Sequence, residues 1–191
     1  MRKYLLIALA VLFLVPVVSF AQVKEEEKAK EPPTKLEAFL AKKGTLIVKD
    51  FYELGELRGL GKMQLNALII YEPGMENTKI RGIRVEITEA GSYGRSNTSF
   101  LDLEEVESLS KAIAYIADLA EKWKGINREA YTEVIYATKD DFKVGFYQKG
   151  SERRAFASSS YIGKASFIMK VEDFISMKGI IDKGLSVLKE K

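Results

Sequence analysis

Four acidic residues crowd one short stretch, Asp102, Glu104, Glu105 and Glu107. Two carboxyls facing each other across a pocket divide acid and base work in glycoside hydrolysis. Glu104 and Glu107, three positions apart, would be neighbours on a helix face. The same residues suit the start of a helix, where an Asp caps free amides and acids offset the positive end of the macrodipole. The twelve-residue ligand pattern of a calcium loop is absent. Asp140-Asp141 reads as a turn.

The chain has 191 residues, no cysteine and no histidine. That removes disulfides, thiolate nucleophiles, Cys- and His-ligated metals and the Ser-His-Asp triad. Ser158-Ser159-Ser160 therefore has no histidine base, and nothing in the spacing supports a Ser-Lys pair with Lys164. No catalytic set and no cofactor motif is legible, so neither a cofactor nor a metal is expected.

The basic and aromatic residues offer a second chemistry. Arg81, Arg84, Arg95, Arg153 and Arg154 fall in strand or turn regions, interspersed with Tyr93, Tyr131, Tyr136, Tyr147 and Tyr161. Arginines and aromatics on a sheet bind single-stranded nucleic acid through phosphate pairing and base stacking. They also make an ordinary solvated sheet face, with Glu86 and Glu133 as cross-strand partners. Gly91 to Ser96 lacks the lysine of a phosphate loop and reads as a hairpin loop. Trp123 closes an apolar helical stripe and suits helix-end packing, with ligand stacking as the alternative. Arg81, Arg84, Arg95, Arg153, Arg154, Tyr93 and Trp123 form the expected ligand or partner surface.

The elements that must position these residues follow from periodicity. Arg2 and Lys3 precede an uncharged run from Tyr4 to Ala21, and Ser19 and Ala21 place small residues before a cleavage point. Residues 1–21 read as a signal peptide, so an exported protein is expected, periplasmic or extracellular. No membrane span should remain after cleavage. Residues 22–33 read as a charged linker closed by Pro32-Pro33. Without Arg2 and Lys3, the 30 basic side chains become 28 against 27 acidic, a net of +1. That near-neutral balance argues against nucleic acid.

Residues 34–191 should form one α+β domain. Thr34 caps a short helix over 35–43. Strands follow from Leu46-Ile47-Val48, over 63–71, over 83–87 and over 97–101. Leu103, Val106, Leu109, Ile113, Ile116, Ala120 and Trp123 then recur at helical spacing, with Asp102 and Glu105 in capping-box positions. A second series predicts strands over 131–138, 142–148, 153–158 and 161–169, and a helix over 171–188.

The two series align. At an offset of 68, Glu104 meets Glu172, Glu105 meets Asp173, Ser108 meets Ser176 and Ile113 meets Ile181. Ser99-Phe100 matches Ser166-Phe167 with a one-residue slip. Two halves, about 44–125 and 129–191, would each be four antiparallel strands followed by a covering helix. This β4-α order is similar to that of the Whirly and transcriptional-coactivator single-strand-binding folds, in element order alone. The resemblance implies single-stranded nucleic acid as a ligand. The absence of a catalytic set points instead to a non-enzymatic binding module for an unknown protein or small ligand. A carboxylate-only hydrolase is the third reading.

Overall fold

The computed structural model describes residues 33–159 and 163–191. The expected signal peptide and all but the last residue of the expected linker lie outside the described residues. So do Ser160 and Tyr161.

The first half begins with helix α1 (Lys35–Leu40), then strands β1 (Val48–Gly59), β2 (Gly61–Tyr71), β3 (Ile80–Thr88) and β4 (Ser96–Asp102), then helix α2 (Leu103–Lys122). The second half has β5 (Arg128–Ala137), β6 (Lys143–Gly150), β7 (Glu152–Ser159), β8 (Ala165–Met169) and helix α3 (Asp173–Glu190). Each half is a four-stranded antiparallel meander, ordered β1-β2-β3-β4 and β5-β6-β7-β8. The fold is therefore α+β, with β4-α repeated twice.

Period-2 alternation gives each sheet one apolar face. Met63, Leu65, Ile83, Val85, Val144, Phe146, Ala155 and Phe167 are all buried in one core shared by the two sheets and both long helices. Burying each large side chain stabilises the fold by about 1.5–3 kcal/mol. The helices present equivalent stripes. At the offset of 68, Val106 and Phe174, Leu109 and Met177, Ile113 and Ile181, and Ala120 and Leu188 are buried in pairs. The Ser-Phe match with its slip does not survive. Phe167 faces the core, whereas Phe100 packs in a separate cluster, because one residue of slip moves a side chain to the opposite face.

That second cluster was not visible in the alternation. Leu68 and Ile70, which alternate with the core-facing residues of β2, are buried under Leu36 and Phe39 of α1. The helix is shorter than expected: it ends at Leu40 with Ala41 as its cap, before Lys42-Lys43-Gly44. Thr34 caps its start, with Glu37 completing a capping box. The other boundaries move by a few residues, and β8 begins at Ala165 rather than 161.

Gly61 takes φ +105, which an L side chain rarely adopts, and so closes the tight β1–β2 turn. Leu60 at that turn donates its amide to the Ile168 carbonyl at 3.0 Å, joining the two sheets. Gly179 is the opposite case. It lies exposed in α3 with nothing within 4 Å of where a Cβ would stand. Gly179→Ala should raise stability by about 0.5–1 kcal/mol, read as a shift of the urea midpoint without a change in slope.

Candidate functional site

The helix-start acids are engaged by the fold. Asp102 is buried, and its carboxylate accepts the α1 amides of Lys35 at 2.8 Å and Leu36 at 3.2 Å. One strand end therefore caps a helix 66 residues away in sequence. Glu105 accepts the Asp102 amide at 3.2 Å and the Lys139 amide at 2.8 Å. Glu104 pairs with Lys35 at 2.6 Å, and Glu107 with Lys189 at 2.8 Å. Both carboxyls are held below the ordinary range by these ammonium hydrogen bonds first. All four carboxyls are thus engaged by groups from other segments.

The carboxyls that do meet are Glu37 and Asp140, from α1 and the β5–β6 turn. Asp140 accepts the Phe100 amide at 2.9 Å. Its pKa is pushed up to about 7, by burial first and then by the charge and hydrogen bond of Glu37. Glu37 in turn accepts from the Thr34 amide at 3.3 Å and the Thr34 hydroxyl at 3.0 Å. The pair sits at the seam where α1 meets the β5–β6 turn, which is a structural position. The sequence carried only a turn signal at Asp140.

The expected Arg/Tyr/Trp surface divides. Arg81 reaches the Lys191 carbonyl at 3.3 Å, with its Nε buried and without a partner among the described residues. Arg84 pairs with Glu86 at 2.9 Å on the outer face of the first sheet. Arg95 forks onto Glu89 at 3.0 and 2.9 Å, and Glu89 also accepts the Ser166 amide at 3.0 Å. Arg153 donates to the Ala120 carbonyl at the end of α2. Trp123 packs edge-on against Phe146, with the Arg128 guanidinium 4.0 Å above its ring. Tyr93 stands at a turn tip, 99% exposed. These six are spread over both halves: Arg81, Arg153 and Trp123 tie distant segments together, Arg84 pairs within β3 and Arg95 within the β3–β4 loop.

Arg154 belongs to a different set. On the second sheet, Phe146, Ala155, Ala157 and Phe167 face the core, so the alternate residues face away from both helices. Cross-strand pairing puts Glu133 beside Tyr147, Tyr147 beside Arg154, and Phe156 beside Ile168. Tyr131 and Tyr147 have ring centroids 5.6 Å apart, and Tyr147 and Phe156 6.5 Å. An aromatic row thus crosses three strands and continues to Ile168. Tyr131 donates to Glu133 at 2.5 Å, which above all pushes its pKa up to about 12. Lys143, Lys149 and Lys170 flank the row, and none of the three has an ion pair among the described residues.

Sequence reasoning named Tyr131, Tyr147 and Arg154 by type but missed Phe156 and Ile168. The phase of alternation in β6 and β7, with Lys149-Gly150-Ser151 setting the hairpin, was the available signal.

Among the described residues, no group of three or more His, Cys, Asp or Glu could hold a metal ion. No helix there is long and apolar enough to cross a membrane. The architecture defines an α+β protein built as a β4-α repeat, with an aromatic sheet face that no described helix covers. Comparison with protein-family models and with curated proteins finds no match to the chain.

Proposed function

We propose that the protein is an exported, non-enzymatic binding module whose outer face on the second sheet docks an extended acidic segment of another protein. The observation that carries this reading is the row Tyr131, Tyr147, Phe156 and Ile168. Among the described residues no helix covers it, and the three lysines that flank it have no ion pair. Aromatic anchors supply contact area at low entropic cost, and rim cations select an acidic partner and speed its encounter. The charged leader and uncharged run of residues 1–21 support export.

A second reading is single-stranded nucleic acid, favoured by the same row, on which bases would stack, with Arg154 and the lysines as phosphate partners. The near-neutral net charge without the leader weighs against it.

One titration separates them. A fluorescent Glu-Tyr random copolymer and a labelled oligothymidylate are each titrated with the protein at low salt. Copolymer binding should weaken roughly tenfold in the Tyr147→Thr, Phe156→Thr double variant, with unchanged circular dichroism. Binding of the oligonucleotide alone, with a steep salt dependence, would establish the second reading instead. If neither probe binds, both readings fall.

A further inference from the structure

At the end of this face the surface drops into a groove of about 650 Å³, between the β1–β2 turn, the β6–β7 turn and the start of α3. That size lies in the range of small-molecule sites. Arg58, Arg154 and Lys170 reach it from three separate elements, and Leu60, Ile168 and Val171 supply apolar wall. We infer that this groove, which shares Arg154, Ile168 and Lys170 with the face above, binds a carboxylate borne on an apolar group.

The cations have donors to spare. Arg58 meets Glu56 at 2.6 Å, and Arg154 meets Glu152 at 3.3 Å, each a neighbour two residues away on its own strand. Their side chains are 76% and 53% exposed. A guanidinium has five donors in a planar fork that matches a carboxylate, and exposed pairs of this kind are weak and readily exchanged. The Lys170 ammonium has no ion pair among the described residues. Of the acids in the wall, Glu152 is engaged by Arg154, and Asp173 accepts the Lys170 amide at 2.8 Å. Glu172 opens α3 and disfavours a multiply charged anion, which leaves a monocarboxylate as the better match.

The floor is preformed. A Cβ on Gly59 would stand 2.4 Å from the Ile168 carbonyl oxygen, so only glycine lets the turn lie against β8. The Leu60–Ile168 bond then fixes both apolar walls before any ligand arrives. A rigid site loses little freedom on binding. The carboxylate could be that of a free organic acid or of a chain terminus.

Titration of the ¹⁵N-labelled protein tests this. 4-Phenylbutyrate is expected to shift the amides of Leu60, Ile168, Lys170 and Val171 saturably. 4-Phenylbutyramide should bind at least roughly tenfold more weakly, and so should the acid to the Arg58→Ala, Arg154→Ala double variant. Tighter binding of N-acetyl-leucyl-phenylalanine than of phenylbutyrate would identify a chain terminus as the source, and the reverse a free acid; both support the site. Equal binding of the amide, equal binding of inorganic phosphate, or the absence of saturable shifts in the groove would overturn it. Shifts at Leu60 and Val171 report the groove alone and those at Tyr131, Tyr147 and Phe156 the outer face alone, so the two readings are scored separately.

Discussion

Gly82→Ala is expected to destabilise the protein by about 3 kcal/mol or more. Gly82 lies in β3, paired with Asp102 of β4 and Leu68 of β2. A Cβ there would stand 2.0 Å from the Leu101 carbonyl oxygen and 2.6 Å from Leu36 Cδ1. The first contact is with backbone, which cannot rotate aside. β3 must therefore move away from β4, and the pairing that holds Asp102 under α1 loosens with it. Leu36, fully buried on this glycine, is pushed out at the same time. Gly184→Ala is the control. The nearest atoms to its Cβ would be the Ile83 and Leu54 methyl ends, at 2.7 and 2.8 Å, which can give way. That change should cost about 1–2 kcal/mol. Urea unfolding with hydrogen exchange at the α1 amides checks both. A Gly82→Ala loss no larger than the Gly184→Ala loss would contradict the packing described for α1.

The second expected effect is a fall in stability as pH rises from about 4 to about 7, removed by Asp140→Asn. The Asp140 carboxyl binds its proton up to about pH 7 in the folded chain, against an ordinary value of 3.8. Between those values the native state holds more protons than the unfolded state, so stability decreases with rising pH. The contribution is fully present below about 3.8 and is gone above about 7, where Asp140 has lost its proton beside Glu37. Asp140 is half-buried, so after allowance for solvent screening the change is on the order of 1–2 kcal/mol. Opposing groups act at lower pH. Glu89, Glu104, Glu107 and Asp182 have lowered pKa values, and their contributions disappear as pH falls through that lowered range. The wild-type melting temperature should therefore peak in mildly acidic solution. The asparagine side chain of the variant keeps the oxygen that accepts from Phe100 and gains a donor toward Glu37. The variant should melt higher than wild type at pH 8 and show no decline between pH 5 and 8. A parallel decline in both proteins would remove the Asp140 proton as its cause.

Much of the fold was legible in local pattern. Alternation at Met63, Leu65 and Ala67 and at Ile83, Val85 and Ile87 marks half-buried strands, because a pleated strand exposes successive residues to opposite faces. The stripe from Leu103 to Ala120 marks a helix that must cover a sheet, and the Asp102-Glu105 capping box fixes where it starts. The repeat was legible for the same reason, since both halves solve one burial problem in the same order. The slipped Ser99-Phe100 match shows the limit. Identity of residues carries no information about which face they take.

The candidate site was half legible. Residue types pointed to arginine and tyrosine, but type does not say which of them has a free side chain. Arg95 is held by Glu89, Arg81 reaches the last residue of the chain, and Arg153 caps a helix 33 residues away. The last two partners are set by packing between distant segments, and the Glu89 that holds Arg95 is itself tied to Ser166.

The amino-acid sequence by itself thus determined the period of each element, the caps that start α1 and α2, the duplicated β4-α order and the absence of His and Cys chemistry. The tertiary structure alone decided that α1 buries Leu68 and Ile70, that Asp140 is buried beside Glu37 and its carboxyl pushed up, and that Tyr131, Tyr147, Phe156 and Ile168 form one row beside a basic groove. The physical reason is range. Periodicity and capping act over one or two turns of chain, whereas strand register, helix docking and the shift of a buried carboxyl arise only when segments tens of residues apart are brought together and water is excluded between them.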